Sequence, residues 1–351
     1  MKNCLFSIFV LFSSIAALAQ SGGNGVYKFL DLPASARSAS LGGSLITVRD
    51  GDVNLVKDNP AVLDSTVHNA AALTYINYIS DVNFGYVTHA RHFEDVGTFS
   101  AGMQYINYGT FTRADERGIK NGEFSAGEYA FDVSYGYQPD SLFSFGGTFK
   151  AIYSNFSSDN SFGLAFDLGA QYLSKNKLFS AGLVIDNLGY QIKPYVKGNR
   201  DNLPLNFQLA GSYKLPKAPI RFTVTASRLE TWDLTYNQPQ SEKAYLLPNG
   251  GTVSQNNEDG AFSFDNFMRH MNIAAEIMPS DNFHLRIGFN YLRKQELSPQ
   301  DTRSGLAGFS FGTGFQIKRF RLSYGIAGYH LAGFSHHITI ATNFSEFKSK
   351  G

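Results

Sequence analysis

The 351-residue chain is nearly without cysteine: Cys4 stands alone, inside an apolar leader, so the exported chain is expected to hold none. That excludes disulfides, zinc thiolates and cysteine nucleophiles. Charge is also scarce, at 17% of residues, and balanced, with 30 Lys and Arg against 29 Asp and Glu. A balance of that kind gives no whole-chain electrostatic footprint for nucleic acid, and none is expected as a partner. Beyond the leader there is no run of 18 apolar residues, so no membrane-spanning helix is expected. G-x-S-x-G, H-E-x-x-H and P-loop motifs are missing, so the chain reads as no enzyme, with no catalytic, cofactor or metal-ligating residue to nominate. What is abundant is Phe (31), Tyr (19) and Gly (34), a composition foreign to disordered chains.

The leader reads as a secretory signal peptide over 1–19. Lys2 is its basic region, Leu5 to Leu18 its apolar run, and Ala17-Leu18-Ala19 its small-x-small cleavage site. Export leaves two options, a soluble protein or an outer-membrane barrel. The period of the apolar residues favours the second. Tyr129, Phe131, Val133, Tyr135 and Tyr137 alternate with Ala130, Asp132, Ser134 and Gly136. Phe162, Leu164, Phe166 and Leu168 alternate with Gly163, Ala165, Asp167 and Gly169; Phe283, Leu285, Ile287, Phe289 and Tyr291 repeat the pattern. Period two, with one large apolar face and one small or polar face, means strands between two unlike media.

Fourteen such spans are expected: 70–78, 82–91, 97–109, 127–137, 142–155, 162–172, 178–188, 204–213, 219–229, 267–278, 282–293, 305–317, 319–330 and 335–344. Most reach the ~9–11 residues that cross a bilayer at a tilt. Connections after even-numbered spans are short, and the long ones (110–126, 189–203, 230–266, 294–304) all follow odd-numbered spans. Barrels of the outer membrane put short turns in the periplasm and long loops outside. The expected fold is therefore all-β: an antiparallel outer-membrane β-barrel of about 14 strands over 70–351, bathed in outer-membrane lipid. Tyr75, Tyr78, Tyr105, Tyr108, Tyr135, Tyr137 and Tyr153 are its expected interfacial girdle. Gly163, Gly169, Gly312 and Gly314 on the inner side suit either a curved wall or a crowded lumen. A soluble propeller would show a blade repeat, and none is present.

Residues 20–69 do not alternate. Pro33, Gly42-Gly43, Gly51 and Pro60 interrupt them, and nearly fifty residues are too many for a bare tail. They are expected to fold back as a plug or hatch, against the rival readings of a periplasmic lid or a mobile leader to the first strand. By alternation Asp132, Asp167, Asp186, Lys150, Arg221 and Arg286 face inward, with Arg37 and Arg49 as candidate partners in the plug. The eight histidines have no metal spacing; His336-His337 point to opposite faces and His89 and His92 straddle a turn. Ser144, Ser154, Ser310 and Ser335 are ordinary, although a Ser-His pair meeting across strands stays open. Loop 230–266 carries Trp232, the single tryptophan, with Tyr236, Tyr245, Leu246 and Leu247, and reads as a docking surface or as a lid over its own barrel mouth.

Tyr27-Lys28-Phe29-Leu30-Asp31-Leu32-Pro33-Ala34-Ser35-Ala36-Arg37, followed by Ala39-Ser40-Leu41-Gly42-Gly43 and then Asn59-Pro60-Ala61, resembles the PorV/PorQ outer-membrane protein family of the type IX secretion system in Bacteroidota, closest to PorQ. Those families are in turn similar to fatty-acid transporter barrels, which have fourteen strands and an N-terminal plug. The resemblance implies a non-enzymatic role in protein secretion, anchoring a PorZ-like surface protein in a PorU/PorV/PorQ/PorZ attachment complex for secreted cargo. The alternatives are a PorV-like cargo-binding shuttle or an outer-membrane transporter of hydrophobic solutes such as fatty acids. The last needs an apolar lumen pocket and a gap in the wall, against which the small and polar inward positions speak. A soluble extracellular binding protein would bury its apolar strand faces in a core.

Overall fold

The computed structural model describes residues 25–78, 81–235, 245–246, 252–253, 263–297, 305–330 and 333–347. The expected signal peptide, residues 20–24 and most of loop 230–266 lie outside the described residues. The alternating spans form fourteen antiparallel strands: β1 (Ala70–Asn77), β2 (Asn83–Phe93), β3 (Gly97–Ala114), β4 (Lys120–Tyr137), β5 (Phe143–Phe156), β6 (Asp159–Leu173), β7 (Phe179–Lys193), β8 (Asn206–Lys214), β9 (Ile220–Ala226), β10 (Met271–Ser280), β11 (Phe283–Asn290), β12 (Phe309–Ile317), β13 (Phe320–His330) and β14 (Gly333–Asn343). Each pairs with its sequence neighbours, and β1 closes on β14, from Ala70 opposite Asn343 to Asn77 opposite His336. A closed barrel leaves no free strand edge, which is the condition for crossing lipid with strands.

The apolar face of every strand points outward. Phe131, Leu168 and Leu209 are 53%, 52% and 51% exposed, while their neighbours Asp132, Asp167 and Gln208 are buried. In water such a belt would be untenable; in lipid it is the solvated surface. Tyr129 to Tyr137 on β4 spans eight residue steps, which at ~3.3 Å per step and a tilt near ~40° makes an apolar band about 20 Å tall, close to the ~25 Å of outer-membrane barrels. The chain is an outer-membrane β-barrel. The connections 94–96, 138–142, 174–178, 215–219, 281–282 and 318–319 mark its periplasmic rim.

The structure redraws some expected boundaries. Residues 110–126 are not a loop: β3 and β4 continue as an exposed hairpin, Thr110 opposite Ser125 and Arg113 opposite Gly122, that rises above the band. Spans 10 and 11 are trimmed by helices capped by a neighbouring polar side chain. Ser263 accepts from the Asn266 amide, and Asn290 from the Arg293 amide. Two girdle tyrosines are also misplaced. Tyr75, Tyr135, Tyr137 and Tyr153 are exposed on the outer face. Tyr78 and Tyr108 instead pack against the apolar cluster inside.

Residues 25–69 lie within the barrel. They contain α1 (Ala36–Ser40) and four single 3-10 turns, and touch the inner wall on all sides. The chain enters near the outer loops, where Val26 N donates to Asn202 O, and leaves at the periplasmic rim into β1.

Candidate functional site in the barrel lumen

The inner segment docks through wall positions that carry no side chain. A Cβ at Gly146 would stand 2.3 Å from the Pro60 carbonyl carbon, at Gly182 2.4 Å from Ile46 O, and at Gly288 2.4 Å from Gly42 N. Gly163 faces Tyr27, Gly169 faces Asn59 and Gly312 faces Ser40. Of the two roles open to these inner glycines, a crowded lumen is the one the contacts display. The opening motif is built for the same purpose. Ser35 caps α1 by accepting from the Ser38 amide. Asn272 and Asn290 donate to the carbonyls of Leu41 and Gly42, and Asn59 Oδ1 accepts from Ala61 N while its Nδ2 donates to Ile46 O.

Toward the periplasm, charge fixes the segment. Arg37 donates Nε and Nη2 to the two oxygens of Glu276 on β10, at 3.0 and 2.9 Å. Its outer edge takes Asp50, at 3.0 and 2.8 Å, and Asp52, at 3.2 Å. Arg286 and Arg221 complete the Glu276 carboxylate, at 2.9 and 3.0 Å. Burial alone would raise the Asp50 carboxyl, but the Arg37 guanidinium beside it holds it well below the usual carboxylate range. Arg37 is thus a plug anchor, as expected, but its wall partner is Glu276 and not Asp132, Asp167 or Asp186. Glu276 sits at inward parity with Asn272 and Ala274, so the alternation of β10 carried the missed signal. Arg49 is corrected more fully: it stays within its own segment and the rim, 3.6 Å from Asp64 and 3.3 Å from Ser141 O. Beside this network lies a polar cavity of about 90 Å³ bordered by Arg37, Asp52, His284 and Arg321, and next to it one of about 180 Å³ bordered by Arg319, Thr342 and Glu346.

The inward aspartates bind the wall to itself. Lys150 is 1% exposed and lies 2.6 Å from Asp167 and 2.8 Å from Asn187 Oδ1. One residue of β6, Asp167, stands opposite two of β7, Asp186 and Asn187, and Asn187 takes φ 59°. This bulge turns both β7 side chains inward, a local re-aiming typical of barrel walls. Asn187 donates its amide to Asp167 and its Nδ2 to Pro204 O.

Toward the outside the inner face changes character. Val26, Tyr27, Phe29 and Leu30 of the inner segment pack against Ile76, Phe84, Tyr86, Ile106 and Ile152 of β1, β2, β3 and β5. Leu203, Tyr78, Tyr108 and Tyr195 close over them. An apolar cluster of this kind on the inner face is not expected from the sequence. With Ala130 of β4 and Ala165 of β6 its wall residues come from six separate strands, and only their registers bring them to one level. Short helices roof the mouth. On α2 (Phe264–Arg269) the Asp265 carboxylate accepts from Tyr291 of α3 (Tyr291–Glu296) at 2.7 Å. Burial alone would raise that carboxyl, but the hydrogen bonds from Tyr291 and Arg269 hold it below its ordinary range. The ends of loop 230–266 fold onto the rim, with Trp232 stacked on His270 at 5.1 Å between ring centres. Tyr245-Leu246 pairs with Thr252-Val253, while Tyr236 and Leu247 lie outside the described residues.

His336 and His337 do point to opposite faces: His336 outward beside Tyr324, His337 fully buried. Ser335 lies 2.8 Å from His337 Nε2, so a Ser-His contact exists. Its hydroxyl donates to Ala327 O, so the imidazole donates to Ser335 rather than accepting its proton. No carboxylate orients that ring, and among the described residues no group of three His, Cys, Asp or Glu could hold a metal.

No protein-family model matches the chain, and no curated protein matches it. Solved structures do. The Pseudomonas putida toluene transporter TodX is similar over 88% of this chain and 96% of its own, with a TM-score of 0.51 at 13% identity. A TodX monoaromatic hydrocarbon channel mutant (deltaS2S3) is similar over 89% and 99%, with a TM-score of 0.50 at 12% identity. A Pseudomonas aeruginosa FadL homologue covers 89% and 98%, at 11% identity and a TM-score of 0.47. At these identities the likeness to TodX is one of fold. It nevertheless overturns the expected assignment to PorV/PorQ. The opening residues that carried that resemblance are accounted for by their docking inside a TodX-like barrel, and the type IX secretion role as the anchor of a surface protein falls with the assignment.

Proposed function

We propose that this protein passes small hydrophobic solutes across the outer membrane. The observation that carries the reading is the largest of the lumen's apolar clusters among the described residues, at its outer end, where Phe29 and Leu30 of the inner segment meet Ile76, Phe84, Ile106 and Ile152 of the wall. A polar, hydrated pore has no use for such a surface. An apolar solute leaving water gains ~25 cal/mol per Å² on reaching one. The inner segment supports the same reading, since it occupies the space a general porin leaves to water. The described barrel shares its fold with TodX, a toluene transporter.

The reading is tested with the purified protein in detergent and the neutral fluorophore N-phenyl-1-naphthylamine. Saturable binding is expected, weakened about tenfold by Ile106→Asn, which sets an amide among the apolar side chains. A fluorescence rise that never saturates and equals that of empty micelles would overturn it.

A further inference from the structure

Three side chains of the inner wall hold a lysine amine against a carboxamide, out of water. Lys150 of β5, Asp167 of β6 and Asn187 of β7 are 1%, 2% and 2% exposed. Ala165 stands opposite Lys150 on β6, and its small side chain leaves the lysine room to cross toward β7. The Lys150 Nζ then lies 2.6 Å from Asp167 Oδ2 and 2.8 Å from Asn187 Oδ1. A nitrogen that close to a carbonyl oxygen is within about 4 Å of the carbonyl carbon, because the C=O bond is ~1.2 Å long. Reacting atoms meet from about 3–3.5 Å, a gap that a turn of the Asn187 carboxamide closes.

The carboxamide is held as firmly as the amine. The bulge of β7 puts Asn187 at φ 59°, a left-handed conformation that asparagine tolerates, and turns its side chain inward. Its backbone N–H donates to Asp167 Oδ1 at 2.8 Å, and its Nδ2 donates to Pro204 O at 3.0 Å. One oxygen of Asp167 is thus pinned by the bulge, and the other rests on the amine. Among the described residues Lys150 forms an ion pair with Asp167 alone, so this carboxylate is the group placed to move the lysine's protons. An amine, a base and an electrophilic carbonyl in mutual reach are the parts of a nucleophilic acyl transfer. Burial keeps out the water that would compete with the amine.

We propose that Lys150 and Asn187 join in an intramolecular isopeptide bond, with Asp167 as the proton carrier. Asp167 takes one proton from the Lys150 ammonium, and the freed electron pair forms the Nζ–Cγ bond. Asp167 passes that proton to Nδ2, and the Cγ–Nδ2 bond breaks with its electron pair on nitrogen. Nζ gives a second proton to the departing ammonia, which leaves as ammonium. Asp167 ends as it began, and no co-reactant is consumed. The bond staples β5 to β7 across β6, in a chain whose single cysteine, Cys4, allows no disulfide of its own.

The test is peptide mapping by tandem mass spectrometry of the protein folded in outer membranes. The expected result is a branched peptide joining Lys150 to Asn187, lighter by one ammonia than its two parts, with no tryptic cleavage at Lys150. The same chain kept unfolded in urea is expected to carry no branch and to acquire it on folding. Asp167→Asn keeps the shape and removes the base, and should slow that acquisition about a hundredfold. Recovery of only unbranched Lys150 and Asn187 peptides from the folded, unaltered protein overturns the proposal and leaves an ion pair beside an amide. A branch from Lys150 to Asp167, or one equally abundant in the unfolded chain, overturns it too. Undiminished branching in Asp167→Asn overturns the role given to Asp167.

Discussion

Glu276→Gln should loosen the inner segment while leaving the barrel closed. The native carboxylate receives four charge-assisted hydrogen bonds, two from Arg37 and one each from Arg286 and Arg221. Glutamine keeps the shape but removes the charge, and turns an amide donor toward three guanidinium groups. Asp50 and Asp52 remain on the outer edge of Arg37, so the segment is weakened rather than expelled. Breaking a buried pair by removing one partner costs about 3–5 kcal/mol. If that cost falls on the docked state, transient release of the segment rises by roughly a hundred- to several-thousand-fold, at ~1.4 kcal/mol per decade. The assay is thiol labelling of Ala39→Cys, a position with no exposure, in a chain whose Cys4 is replaced by Ser. Labelling at the rate of the Glu276-containing protein would refute the idea that this ion cluster holds the segment.

Further consequences are open to the same kinds of measurement. Gly146→Val places a Cβ against the Pro60 backbone and should speed labelling of Ala61→Cys. Gly147→Val, whose nearest neighbours are 3.6 Å away or more, should not. Phe131→Arg on the lipid face should cost about 2–4 kcal/mol in urea titrations of folding into vesicles, whereas Glu123→Arg, on the exposed hairpin above the band, should cost almost nothing. Ser35→Ala removes the cap of α1, worth about 1 kcal/mol, and should raise Ala39→Cys labelling about fivefold.

The barrel was legible because a membrane imposes period two on every strand at once. Tyr129 to Tyr137 can satisfy lipid on one side only as a strand, and no helix puts Phe131, Val133 and Tyr135 on one face. The parity of loop lengths carried the orientation for the same reason. Boundaries were less legible where a capping residue decides them: Ser263 and Asn290 each hold a turn of helix where the apolar pattern alone would run the strand on. Partnerships across the lumen were least legible. Inward parity identifies Asp132, Lys150 and Arg286, but whether Arg37 meets Asp132 or Glu276 depends on the path of the inner segment, which no periodicity encodes. The apolar cluster was hidden likewise, because Ile76, Phe84, Ile106 and Ile152 are single exceptions on separate polar faces. The opening residues 27–43 and 59–61 are a poor mark of lineage, because their hydrogen bonds and close approaches are those of a segment docked in this barrel.

The most direct test of the central claim, that residues 25–69 fill the lumen of a lipid-embedded barrel, is planar-bilayer recording from the purified protein with those residues intact. The account predicts an insulating barrel with no steady conductance steps, and stable steps once the inner segment is deleted. Steady open-pore conductance of the intact protein would contradict it.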